Sequence, residues 1–178
     1  MAVGRSLFAP VGAWVSVALL CSLTIPVSRA AKSAELTPAA AAAVNGLYPG
    51  AIVTGVEQER EDGVLYFEVA VRLGGEAIEI EVTPEGGIGE IETRVAMADL
   101  PKDVRDGISR LTKGARIAQV ERHEVKGFAM GGVFRHVDPA VVLYEVEFER
   151  DGVRGEVAVG TNGEPLLLTD DDSEDDDD

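Results

Sequence analysis

Cysteine and histidine are scarce in this sequence, which limits the chemistry that the chain can perform. The one cysteine is Cys21, and the two histidines are His123 and His136. Cys21 falls in an apolar segment near the start of the chain that we expect to be removed. The mature chain would then have no disulfide and no thiolate metal ligand, so its stability must come from its core.

A catalytic nucleophile is also missing from the sequence. There is no Gly-x-Ser-x-Gly elbow, and a hydrolase would need a nucleophile held by a base and a third orienting group. Ser109 lies among polar neighbours of a predicted helix, which is typical of a surface residue. We therefore expect no enzymatic activity and no cofactor.

Basic residues are few: 16 Lys and Arg stand against 32 Asp and Glu, giving a formal net charge of −16. Nucleic acids and anionic membrane surfaces would repel such a chain, so neither is an expected partner. Residues 170–178 are acidic except for Ser173. A charge run of this kind is typical of a disordered, solvated tail.

Residues 1–30 have the parts of a secretory signal. Arg5 is the positive region, residues 11–23 are apolar or small, and residues 28–30 suit a signal peptidase that cleaves after Ala30. The apolar run is shorter than the roughly 20 residues that span a bilayer, which disfavours a retained membrane anchor. Lipid attachment at Cys21 is disfavoured because two leucines precede it where a small residue is expected. The sequence thus predicts a secreted or periplasmic protein with no membrane span in the mature chain.

Strand alternation is the clearest pattern in the rest of the chain. Leu65, Phe67 and Val69 fall on one side of an extended segment and polar residues on the other, and the pattern resumes at Ile78 after Gly74-Gly75. These two runs predict an antiparallel hairpin with one buried face. Further strands are predicted over residues 51–59 and 88–95.

A helix is predicted before the first strand, with Thr37 as N-cap and Pro38 at its first position. A similar order of elements follows from Leu100 onward. Shifted by about sixty-four residues, the apolar positions of a second helix match those of the first, and a second strand hairpin follows. The fold class predicted is α+β: two tandem repeats of one helix followed by a three- to four-stranded antiparallel sheet, with the helices packed on one sheet face.

The predicted organisation is a signal peptide at 1–30, a flexible lead at 31–35, a first repeat at 36–98, a second repeat at 99–169 with an insertion at 124–139, and a tail at 170–178. Whether the two sheets join edge to edge or face each other is left open by the pattern.

Several short motifs resemble those of PepSY-like domains, which are similar in fold to the β-lactamase inhibitor protein. They include Tyr48-Pro49-Gly50-Ala51, Asp62-Gly63 and the closing Thr83-Pro84-Glu85-Gly86-Gly87 of the first repeat, and Asn162-Gly163-Glu164 of the second. The resemblance implies a bacterial secreted or periplasmic protein that binds or restrains extracytoplasmic proteins such as peptidases. It supplies no catalytic residues. The insertion and the acidic tail depart from the family pattern.

Two groups of residues are candidates for contacting a protein partner. The insertion carries Phe128, Met130, Phe134 and Arg135 on what is predicted to be a protruding loop, and exposed aromatics beside a basic residue suit a protein-binding loop. The equal alternative is that these side chains fold back onto the core. The second group lies on the predicted polar sheet face and consists of Glu79, Glu81, Glu145 and Glu147. These glutamates would either attract a basic partner or simply prevent pairing between sheets.

A metal site is a weaker alternative, because the spacing matches no known metal signature. His123 and Glu124 would meet His136 and Asp138 if the insertion forms a hairpin. Alternatively, Asp170, Asp171 and Asp172 of the tail would collect Ca²⁺ or another divalent cation weakly.

The sequence therefore predicts a non-enzymatic binding module that binds or inhibits an extracytoplasmic protein. The alternative is an envelope sensor that binds a cation through the acidic tail and acidic sheet face. A purely structural envelope component is neither favoured nor disfavoured by the sequence.

Overall fold

A computed structural model describes residues 34–166. The predicted signal peptide, most of the predicted lead and the acidic tail lie outside the described residues. The elements in chain order are α1 (Pro38–Leu47), β1 (Ile52–Glu61), β2 (Val64–Leu73), β3 (Glu76–Val82), β4 (Ile88–Arg94), a 3₁₀ turn (Met97–Asp99), α2 (Lys102–Thr112), β5 (Arg116–Met130), β6 (Val133–Arg150), β7 (Val153–Gly160) and β8 (Pro165–Leu166).

Helix α1 begins where the sequence predicts it. The Thr37 hydroxyl accepts a hydrogen bond from the Ala40 amide at 3.1 Å, which satisfies one of the free amides of the first turn. The same hydroxyl donates to the Pro84 carbonyl at 2.5 Å, linking the helix start to the turn between β3 and β4. Thr37 thus fixes both where α1 starts and where it docks.

The eight strands form one continuous antiparallel sheet in the order β1 to β8. The predicted fold class of two tandem helix-plus-small-sheet repeats is therefore wrong. Strands β4 and β5, which flank α2 in the chain, pair directly from Glu90↔Val125 to Arg94↔Glu121. This pairing removes the two sheet edges that separate units would have, and unpaired strand edges are unfavourable.

Both helices lie against the same face of the sheet, here called the helix face. Helix α1 contributes Ala40 and Val44 to one buried cluster with β2, β3 and β4. Helix α2 contributes Val104 and Ile108 to a second cluster with β5, β6 and β7. Since side chains alternate along each strand, every second residue points to the opposite face.

The segment predicted as a protruding loop at 124–139 is strand instead. It forms the outer part of a long β5–β6 hairpin, closed by a tight turn at Gly131-Gly132. The Gly131 amide donates a hydrogen bond to the Asp62 carboxylate in the β1–β2 turn. The hairpin therefore reaches across the ends of β2, β3 and β4 to the far side of the sheet.

Helix α2 approaches the turn between β7 and β8 at backbone distance. A Cβ placed on Gly107 would overlap the carbonyl oxygen of Gly163, and a Cβ on Gly163 would overlap the Asp103 carbonyl. Gly163 also has a φ of +75°, which glycine adopts without strain. Two glycines therefore permit the contact that docks α2.

Gly107→Ala is expected to destabilise the protein by about 1–3 kcal/mol, because the added methyl group collides with a rigid turn. The matched control is Gly46→Ala in α1, where an added Cβ would meet nothing within 4 Å. That variant should gain up to about 1 kcal/mol from helix propensity alone. Urea unfolding of the two variants checks this pair, and a stabilising Gly107→Ala would contradict the close packing.

Candidate functional site

The sheet face opposite the helices, here called the acidic face, is lined by glutamates from β1 through β7. The strand registers place them across from one another, as in Glu68↔Glu81, Glu79↔Glu92 and Glu121↔Glu145. The acidic face comprises Glu57, Glu59, Glu61, Glu68, Glu79, Glu81, Glu90, Glu92, Glu121, Glu145, Glu147 and Glu156. Like charges directly opposite one another destabilise a sheet, so this arrangement is costly.

His123 lies near the middle of the acidic face and is only 5% exposed. Its Nδ1 lies 2.7 Å from a carboxylate oxygen of Glu90 and 4.0 Å from one of Glu92. Its Nε2 lies 3.9 Å from a carboxylate oxygen of Glu145 and has no hydrogen-bond partner among the described residues. The imidazole thus lies between carboxylates of β4, one of which it hydrogen-bonds, and a carboxylate of β6.

The carboxylates around His123 determine its protonation. Burial lowers the pKa of the imidazole, but the hydrogen bond and charge of Glu90, with the charges of Glu92 and Glu145, raise it to about 9 overall. Burial raises the pKa values of Glu92 and Glu145 to about 7, with contributions from neighbouring carboxylates and in spite of the His123 charge. The protonated imidazole therefore compensates part of the negative charge.

Among the carboxyl groups of the acidic face, Glu81 has the pKa that is raised most. Burial, and then the charges of Glu90, Glu61, Glu92 and Glu59, raise its pKa to about 8. Its carboxyl lies beside Gly89, where a Cβ would come within 3.0 Å of a Glu81 oxygen. Glu81 is therefore held in a confined site where the strongest charges acting on it are those of other carboxylates.

Glu81→Gln is expected to stabilise the protein at neutral and higher pH. Because the folded-state pKa exceeds the ordinary value of 4.5, the contribution of Glu81 to stability is greatest at low pH and declines as the pH rises from about 4.5 towards 8. Glutamine does not ionise, so the variant should gain on the order of 2 kcal/mol at about pH 7. Urea unfolding across this pH range measures the difference.

The control for this prediction is Glu79→Gln, which removes the same charge from an exposed position on the same strand. It should change the pH dependence of unfolding much less than Glu81→Gln does. Identical pH profiles for the Glu81 variant and the wild-type protein would contradict the buried position of this carboxyl.

The predicted partner-binding residues of the insertion separate into packed and exposed side chains. Phe134 makes edge-to-face contacts with Tyr66 at 6.1 Å and with His136 at 4.9 Å between ring centroids. Its ring also covers Gly127 and Gly87, where any Cβ would overlap it. Phe128 is half-buried, whereas Arg135 is exposed and Met130 is 61% exposed at the hairpin tip.

The predicted glutamates Glu79, Glu81, Glu145 and Glu147 all belong to the acidic face. Glu79 is exposed, and the other three are partly buried.

The predicted metal-ligating residues are not brought together. His136 pairs with Gly127, four residues beyond His123 along β5, and both His136 and Asp138 are exposed. Asp170, Asp171 and Asp172 lie outside the described residues.

Sequence reasoning missed the importance of Glu90, Glu92, Glu121 and Glu156, and the burial of His123 among them. A signal for the first two is present, since Glu90 and Glu92 alternate with Gly89 and Ile91. Nothing in the local pattern shows that β4 pairs with β5, and that pairing is what places Glu92 opposite His123.

Phe134→Ala should lower the free energy of unfolding by about 2 kcal/mol, because it removes a ring packed between Tyr66 and two glycines. Met130→Ala, from the same hairpin, should change it by less than about 0.5 kcal/mol because that side chain is mostly exposed. Thermal and urea unfolding distinguish the two. Equal, small effects would show that Phe134 is not held by the fold.

Comparison with known proteins identifies the architecture. No protein-family model and no curated protein matches the chain. A BLIP-like (β-lactamase-inhibitor-protein-like) protein from Bacteroides fragilis is 19% identical, with 83% of this chain and 94% of that chain covered and a TM-score of 0.58. A protein from Bacteroides eggerthii described as periplasmic is 12% identical, with 75% and 88% covered and a TM-score of 0.59. A DUF2874 family protein from Bacteroides uniformis is 14% identical, with the same coverage and TM-score.

These likenesses show that the chain shares the fold of BLIP-like proteins. They confirm the fold relation that the sequence motifs imply, while membership of the PepSY group stays a prediction. Within residues 34–166, no helix has the length and apolar character needed to cross a bilayer.

Proposed function

We propose that the protein is a non-enzymatic, extracytoplasmic binding module whose acidic face docks onto a basic surface of a protein partner. The observation that carries this proposal is the repeated opposition of glutamates across neighbouring strands, such as Glu68↔Glu81 and Glu79↔Glu92. A sheet selected for stability alone would not place carboxyl groups in register, because each ionised carboxylate disfavours ionisation of the one opposite. Features that cost stability in this way are typical of functional sites.

The chemistry of the partner follows from the charge of this face. Burial and neighbouring carboxylates raise the pKa values of Glu68, Glu81 and Glu145, so the free face favours any cation that approaches it. Lys and Arg side chains of a partner would neutralise these carboxylates and form charge-assisted hydrogen bonds with them. Electrostatic steering would also speed association and make it sensitive to salt.

The β5–β6 hairpin supplies a second contact beside the acidic face. Met130 and Val133 at its tip are 61% and 50% exposed, and Arg135 is exposed next to them. The tip is held in place by the hydrogen bond from Gly131 to Asp62. An apolar tip on a rigid hairpin suits a pocket of the partner, as anchor residues do in protein interfaces. Phe128 and Phe134 would support the tip from within the hairpin.

The shared fold supports this type of function. One structure with the same fold is of a BLIP-like protein and another is of a protein described as periplasmic. Together with the predicted signal peptide at 1–30, this favours a location outside the cytoplasm. We also propose that the protein is PepSY-like and that its particular activity is to inhibit a peptidase.

The test is a cross-linking capture from the extracytoplasmic fraction of the source organism, comparing two triple variants with the wild-type protein. Glu57→Gln, Glu68→Gln and Glu79→Gln together remove three charges from the acidic face. Glu76→Gln, Glu85→Gln and Asp99→Asn together remove three charges from exposed positions elsewhere. Captured proteins are quantified by mass spectrometry at low and high salt.

We expect the acidic-face variant to lose the captured partner by at least about tenfold, and the control variant to retain it. Capture by the wild-type protein should fall with added salt, and the partner should have a basic surface. Equal capture by both variants, or capture that is insensitive to salt, would overturn the acidic face as the docking surface.

A further inference from the structure

Among residues 34–166, one nitrogen on the acidic face is buried without a hydrogen-bond partner. His123 is only 5% exposed, and its Nε2 is enclosed yet accepts or donates no hydrogen bond among residues 34–166. Buried polar atoms are nearly always paired, so an unpaired one is a position where an ion or a water molecule can bind. We propose that His123 Nε2, Glu121 and Glu145 bind a divalent transition-metal ion, with Zn²⁺ as the best match.

The geometry suits a small metal ion. Ligand atoms of Glu121, His123 and Glu145 all lie within 4.8 Å of one another, and His123 Nε2 is 3.9 Å from a Glu145 oxygen. Zinc bonds of about 2.0–2.2 Å in a tetrahedron place ligand atoms roughly 3.4 Å apart. The ligand atoms therefore need to approach one another by roughly 0.5 to 1.4 Å, which changes of side-chain torsion can supply. A water molecule would complete the coordination.

The ligand types distinguish zinc from calcium. Imidazole is a ligand for Zn²⁺, Cu²⁺, Fe²⁺ and Ni²⁺, whereas Ca²⁺ and Mg²⁺ prefer sites made only of oxygen atoms. The protonated imidazole must release its Nε2 proton to solvent when the metal binds, so binding should strengthen as the pH rises. The two carboxylates would then neutralise the divalent charge. Binding would also remove the repulsion between Glu121 and Glu145, which lie directly opposite each other on β5 and β6.

Glu90 holds the imidazole in the orientation that metal binding requires. It accepts a hydrogen bond from Nδ1 at 2.7 Å, which leaves Nε2 directed at Glu145. A carboxylate on the second nitrogen of a metal-bound histidine fixes its tautomer and strengthens it as a ligand. Glu90 and Glu92 also surround Nδ1, but that nitrogen is already engaged, so we assign the metal to the Nε2 side.

The test is zinc titration of the untagged, metal-free full chain by isothermal titration calorimetry, with Cys21→Ser in every sample so that the lone thiol takes no part. Glu145→Gln and Glu121→Gln each remove one ligand charge with little change in shape. Glu79→Gln is the matched carboxylate control on the same face, and His136→Gln is the matched control for His123→Gln. Asp170→Asn, Asp171→Asn and Asp172→Asn together control for the tail.

We expect one saturable Zn²⁺ site per chain that weakens at least about tenfold in Glu145→Gln, Glu121→Gln and His123→Gln. The affinity should change less than about threefold in Glu79→Gln, His136→Gln and the tail variant. Co²⁺ in place of Zn²⁺ should give the intense visible absorption of a tetrahedral site in the parent protein that carries only Cys21→Ser, and adding Glu145→Gln should weaken it. If His123→Gln does not fold, the zinc affinities of Glu121→Gln and Glu145→Gln test the proposed site.

The absence of a saturable site would overturn the proposal. So would an affinity that drops only in the tail variant, or that is unchanged in both Glu145→Gln and Glu121→Gln. No partner protein is present in this titration, and the docking triple variant leaves Glu121, His123 and Glu145 intact. Failure of the metal proposal and failure of the docking proposal are therefore distinguishable.

Discussion

The pairing of β4 with β5 is the constraint on which the rest of the structure depends. It joins the strands before α2 to the strands after it, so that eight strands form one sheet. The same pairing sets Glu92 opposite His123 and Arg94 opposite Glu121. Without it, the acidic face would be divided into two smaller surfaces, and His123 would lose the β4 carboxylates that surround Nδ1.

The two faces of the sheet have opposite energetic roles. The helix face buries two apolar clusters, one under each helix, and supplies the stability of a chain whose described part contains no cysteine. The acidic face opposes that stability with like charges in register and with carboxyls whose pKa values are raised. Because repulsion between these carboxylates destabilises the unbound protein, a bound cation relieves it. The cation is either a basic protein surface or a metal ion.

Local patterns in the sequence predict the local elements well. The Thr37-Pro38 start of α1 and the alternation of Phe67, Val69 and Val71 in β2 both appear in the structure, because capping and burial act over a few residues. The joining of β4 to β5 could not be predicted in the same way. It is a contact between strands separated by a helix, and only packing of the whole chain determines it.

The candidate site was predictable in part for the same reason. Alternation predicts that Glu79, Glu81, Glu145 and Glu147 share a polar face, whereas the pattern around His123 does not predict its burial. Its burial depends on Glu90, which comes from a neighbouring strand.

The β5–β6 hairpin shows why amino-acid composition alone gives a wrong prediction of secondary structure for residues 124–139. Glycines beside aromatic residues suggested a loop, whereas Gly127 and Gly87 make room for the Phe134 ring between strands. That role of glycine is visible only once the neighbouring ring is placed.

Hydrogen–deuterium exchange of the native protein tests the single sheet most directly. Peptides covering β4 and the part of β5 from 121 to 125 should exchange as slowly as peptides from β2 and β3, since each of these segments pairs with a strand on both sides. Rapid exchange over half the amides of β4 and β5, as expected for two edge strands, would show that the chain forms two separate sheets and would contradict the continuous acidic face.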